Sequence, residues 1–202
     1  MIEYILKNVF SIFRKEKVKL IIYYGNKQGE DIDIFLITSG ESEYNCIHQG
    51  RFDITYIGEK YLEEMIKHLD PLLTEPILSG NVIYGNMSNI KNALNEVCVS
   101  ENIINYLLNK SLLYFQWANA HFQNGDLIYT CNCVRFSLSF YYFARHYKKA
   151  GVITTFSTLF DNLRNDRTTI EMATKMAKSQ KKLTFKNVEH ILTETHQILT
   201  KG

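Results

Sequence analysis

At 202 residues the chain is long enough for one ordinary domain or two small ones packed together, with a real core in either case. Hydrophobic residues at 46% and charged residues at 22% exclude a disordered chain, and only two prolines and ten glycines leave little turn material for a sandwich of many short strands. A formal net charge of +2 is too mild to point to nucleic acid.

Ile2, Ile5, Leu6, Val9, Phe10 and Phe13 recur at the spacing of a helix that buries one face, and the charged run from Arg14 to Lys17 closes it. VKLIIYYG (18–25) is a continuous β-branched and aromatic run ending in glycine, the pattern of a strand buried on both sides. DIDIFLIT (31–38) and RFDITYI (51–57) predict two further strands, joined by the polar segment SGESEYNCIHQG. From Glu59 helical spacing returns through Leu62, Met65, Ile66 and Leu69, until Asp70-Pro71 stops it. Both prolines, with Gly80 and Gly85, fall in the stretch that follows, so the end of an α/β unit is placed near residue 85. Beyond it, helices are predicted at about 87–98, 100–123, 126–149, 152–163, 167–180 and 185–199. The expected architecture is therefore α+β: a small mixed sheet with flanking helices over 1–85, followed by an all-α helical bundle over 86–202.

No window reaches the ~18 consecutive apolar residues of a membrane span. Four cysteines, Cys46, Cys98, Cys131 and Cys133, are too few and too scattered for a disulfide framework, and no secretory signal precedes them, so the expected compartment is the reducing cytoplasm. Cys131-x-Cys133 does not read as a zinc site, because on a helix i and i+2 do not share a face and no second ligand pair follows. The aromatic set from Tyr114 to Phe143, including Trp117 and Phe140, reads as core, and the lysine-rich stretch 178–187 as a solvated helix end.

The chemistry-bearing feature is Gly25-Asn26 after a hydrophobic strand, then Asp31-Ile32-Asp33, then Asp53 between Phe52 and Ile54. Along a strand i and i+2 share a face, so Asp31 and Asp33 point one way while Ile32, Ile34 and Leu36 fill the other. Adjacent carboxylates repel unless a cation lies between them, and Mg²⁺ is held by carboxylates together with substrate phosphates. Asp53 adds a third carboxylate if its strand lies beside the first, which makes a site for two metal ions.

The order IIYYGN, DIDIFLI, FDITYI resembles the nucleotidyltransferases of the DNA polymerase β superfamily, whose pattern is a Gly-Ser turn, a strand with two carboxylates and a third carboxylate one strand later. The helical second half is similar to that of small bacterial members, such as the kanamycin nucleotidyltransferases and the minimal nucleotidyltransferases, which implies that the bundle over 86–202 holds an acceptor or a partner. The resemblance implies that Gly25 and Asn26 meet the phosphates of an NTP and that Asp31, Asp33 and Asp53 are catalytic and bind two Mg²⁺ ions; Lys27, next in the chain, is a further candidate phosphate ligand. It implies transfer of an NMP group to a hydroxyl acceptor, possible acceptors including an antibiotic, with release of pyrophosphate. Asn26 stands where the family has serine, and the six-residue step from Gly25 to Asp31 is shorter than the family's usual one. The alternatives are a catalytically impaired binding or regulatory module with the same fold, and an enzyme acting on a protein or RNA partner. A second copy of the chain is a further candidate partner.

Overall fold

The computed structural model describes residues 1–24, 32–41, 44–156, 158–159, 167–179 and 183–201. The chain divides into two compact units, Met1–Cys98 and Val99–Gly202.

In the first unit, helix α1 (Ile2–Ile12) precedes a short 3₁₀ turn (Lys15–Lys17) and strand β1 (Val18–Tyr24). Strands β2 (Ile32–Thr38), β3 (Asn45–Gln49) and β4 (Phe52–Gly58) follow, then helices α2 (Glu59–Lys67) and α3 (Pro71–Ser79), strand β5 (Asn81–Tyr84) and helix α4 (Ser88–Glu96). The five strands form one mixed sheet in the order β3-β4-β2-β1-β5. All neighbours are antiparallel except β2 and β4, which run parallel. That exception follows from the β3 strand, which carries the chain back between β2 and β4.

Residues alternate across the sheet. Ile21, Ile34, Leu36, Phe52 and Ile54 pack with Ile5 and Val9 of α1, the predicted apolar stripe of the first helix. The opposite face carries Ile22, Phe35 and Ile57, all fully buried, on the side where α3 packs on β1 and α2 on β4.

Two strands extend the three that the sequence predicts. The segment 45–49 reads as polar connection because only Ile47 in it is strongly apolar. It is an edge strand, with Ile47 joining the α1-side core and its other side chains largely in solvent. A two-residue loop, Gly50-Arg51, folds it onto β4, with Gly50 at φ +60°. The proline-bearing stretch is likewise ordered. Asp70 caps α3 by accepting from the Leu72 N–H at 3.0 Å, Pro71 stands in the first turn where its missing N–H costs nothing, and Pro76 continues the helix with its ring buried. Helix α4 packs on α2 and α3, so the first unit continues past residue 85 to Cys98.

The second unit is built from α5 (Glu101–Gln123), α6 (Leu127–Ala150), α7 (Arg167–Ser179) and α8 (Phe185–Thr200). Their bounds follow the predicted ones closely, because Ser100, Asn124-Gly125 and Gly151 punctuate an otherwise periodic sequence; the predicted helix over 152–163 lies partly outside the described residues. Helix α6 packs against all three of the others. Thirteen of its 24 residues are buried, on every side of the helix, which makes it the central helix of this unit. Phe140, Tyr141, Tyr142 and Phe143 are core as read from the sequence, whereas Trp117 is 46% exposed. Cys131 and Cys133 are buried free thiols; burial pushes Cys131 up to about 11. No helix among the described residues is long and apolar enough to cross a membrane.

Candidate active site

The site is made by strand register. Tyr24 lies opposite Asp33 in the β1–β2 pair, Asp33 opposite Asp53 in the parallel β2–β4 pair, and Asp53 opposite His48 in the β3–β4 pair. Directly paired residues share a face. Tyr24, Asp33, Asp53 and His48 therefore form one row across four strands, on the face opposite α1, whose contacts take the flanking Ile32, Ile34, Phe52 and Ile54. Asp33 and Asp53 are each the second residue of their strands, so the row crosses the sheet at the end where β1 finishes and β2 and β4 begin.

The sequence requirement that the Asp53 strand lie beside the Asp33 strand is met, with the two aspartates in register. Neighbouring strands are ~4.8 Å apart, so the two carboxylates start from adjacent backbone positions. The Asp53 side chain keeps 28% exposure. Its Oδ1 accepts a hydrogen bond from the His48 Nδ1–H at 2.6 Å. His48 is itself 71% exposed, and its Nε2 lies 3.9 Å from Cys46 Sγ. The Thr55 hydroxyl lies 4.0 Å from the same sulfur.

Tyr24 closes the other end of the row. Burial foremost, then the neighbouring acidic groups Tyr44 and Asp33, pushes its phenol far above the ordinary value, while a side-chain hydrogen bond with Thr55 acts the other way.

Gly25, Asn26, Lys27 and Asp31 lie outside the described residues. Among the described residues no group of three or more His, Cys, Asp or Glu side chains is arranged to hold a metal ion. What the described part supplies is a pair of hard oxygen donors, Asp33 and Asp53. That donor chemistry fits Mg²⁺, which is commonly held by one or two carboxylates completed by substrate phosphates and water.

Two members of the row, His48 and Tyr24, are not singled out by the sequence. His48 sits in the segment read as a connection. The available signal is the glycine-led two-residue loop: counting outward from Gly50-Arg51 pairs Gln49 with Phe52 and then His48 with Asp53.

No family model matches the chain, and no curated protein matches it. Among solved structures, the chain is similar over its whole length to 75% of a nucleotidyltransferase-like protein from Exiguobacterium sibiricum, at 15% identity and a TM-score of 0.43. A likeness at that level leaves the functional reading to the geometry of the row itself.

Proposed function

We propose that the protein is a Mg²⁺-dependent nucleotidyltransferase that moves an NMP group from an NTP to a hydroxyl acceptor and releases pyrophosphate. The observation that carries this reading is the in-register placement of Asp33 beside Asp53 on parallel neighbouring strands. Asp33 and Asp53 would hold the metal together with Asp31, and Gly25, Asn26 and Lys27 would meet the triphosphate. Bound Mg²⁺ supplies charge neutralisation on the triphosphate and polarises the attacking hydroxyl. His48 fixes the Asp53 carboxylate through Oδ1, which turns the other oxygen to the task of binding.

The test is pyrophosphate release from each NTP with Mg²⁺ across hydroxyl-bearing acceptors, aminoglycosides and lincosamides included, for the wild type and Asp33→Asn. Acceptor-dependent release that is lost in the variant establishes the transferase and names its substrate class. Mg²⁺-dependent NTP binding without release, seen by calorimetry and lost in the variant, favours the second reading of a binding or regulatory module, to which Asn26 and the short Gly25–Asp31 step lend support. Neither release nor binding overturns both.

A further inference from the structure

The helical unit contains a cavity of about 270 Å³ that the proposed chemistry does not use. Its walls are Ile104, Leu108 and Leu112 of α5 and Leu199 of α8, with Tyr141 of α6 between them. Leu112 is 51% exposed, so this apolar surface opens to solvent at one side.

The rim has one sign of charge. Arg145 and Lys148, one turn apart on α6, both line the cavity. Tyr141 fixes Arg145: a guanidinium N–H donates to the phenol oxygen at 3.2 Å, and the group lies 5.7 Å from the ring centroid. Among the described residues neither Arg145 nor Lys148 is paired with a carboxylate, and no acid lines the cavity. Across the three helices that line it the sign is also positive: Lys110, Arg135, Arg145, Lys148, Lys149 and Lys186 outnumber Glu101, Glu189 and Glu194.

An apolar cleft with a fixed guanidinium at its edge is complementary to an anion with a hydrocarbon body. Because Tyr141 occupies only part of the guanidinium's donor fork, the remaining N–H groups can take both oxygens of a carboxylate, and Lys148 adds a mobile second charge. The volume falls just below the ~300 Å³ at which drug-sized ligand sites begin, which limits the ligand to a small molecule. We infer that this cavity is a binding site for a small organic acid, its apolar body between α5 and α8 and its carboxylate on Arg145 and Lys148.

Octanoate is the probe, with octylamine as the same hydrocarbon carrying the opposite charge and acetate as the same headgroup without it. Titrations of the full chain are followed by amide chemical shifts, without NTP or Mg²⁺, so the outcome is independent of the nucleotidyl-transfer reading. The expected result is saturable octanoate binding with shifts around the cavity, and no comparable response to octylamine or acetate. Arg145→Gln weakens octanoate by about tenfold or more, the scale of one lost charge-assisted hydrogen bond. Arg145→Glu, at an exposed position that leaves the fold intact, shifts the preference toward octylamine. The inference is overturned if octanoate does not bind, if octylamine binds equally well, or if the Arg145 variants bind octanoate as the wild type does.

Discussion

At the scale of single residues, His48 is placed to act on Asp53. Its ring is mostly in water and touches little else, so replacing it disturbs the fold by no more than ~1 kcal/mol, in the range of exposed ion pairs. Groups that orient a metal-binding carboxylate typically matter by ~10–100-fold in metal affinity. His48→Ala is therefore expected to keep its denaturation midpoint but lose Mg²⁺-dependent NTP affinity on that scale, with His48→Asn restoring part of it; unchanged affinity in calorimetry would remove the positioning role. The cysteines give a second check. Cys46 and Cys98 are exposed, whereas Cys131 and Cys133 are buried and burial raises both thiols. In native protein near neutral pH a thiol reagent should modify the exposed pair and spare the buried pair until denaturant is added. The sign of the linkage is fixed by the direction of the Cys131 shift, from 9.0 to about 11. Its contribution to stability is complete below pH 9 and is lost as pH rises through 11, because the unfolded chain gives up that proton first. Denaturant midpoints measured between pH 8 and 11 for wild type and Cys131→Ala should converge at the alkaline end.

At the scale of elements, the β5 strand depends on a glycine. Gly85 has φ +82°, and a Cβ there would run into the backbone carbonyl of Lys19 on the neighbouring β1 strand. Gly151 also has positive φ, at +66°, but open space around it. Both positions oppose a side chain through the backbone, and only the first adds a collision with a strand that cannot yield. Gly85→Ala should cost at least about 2 kcal/mol and Gly151→Ala about 1 kcal/mol, read from denaturant midpoints. An equal cost for both would mean that β5 can move away from β1. The same element shows what local sequence patterns miss. Asn45–Gln49 has only Ile47 as a strongly apolar side chain, and the apolar run of Asn81–Tyr84 is three residues long between glycines, so neither announces a strand by length or alternation; their hydrogen bonds to β1 and β4 hold these edge strands in place. The long helices α5 and α6 are announced by their length and by the glycines that end them, Gly125 just past α5 and Gly151 in the left-handed conformation at the end of α6.

At the scale of the whole molecule, each unit builds its core from its own residues. Ile34 is fully buried between α1 and the sheet, and Phe140 is 1% exposed in α6. Ile34→Ala should cost about 2–5 kcal/mol and Phe140→Ala about 3–5 kcal/mol. Amide hydrogen exchange should place the first loss in residues 1–98 and the second in 99–202; a loss spread over both units by either variant would show that they unfold as one. The sequence by itself determined the α+β order and the bounds of the long helices of the second unit, because periodicity and glycine punctuation are local, whereas helix α3 in the proline-bearing stretch was not legible in it. It also supplied Asp33 and Asp53 as candidates, through the repulsion of the neighbouring Asp31 and Asp33 carboxylates that a cation would relieve and through the acid at Asp53 in the next apolar run. Tertiary structure alone decided that these two meet in register, that His48 and Tyr24 complete their row, and that Arg145 stands over an apolar cleft. Strand pairing joins positions far apart in the chain, and which strands pair depends on a return strand too polar to announce itself.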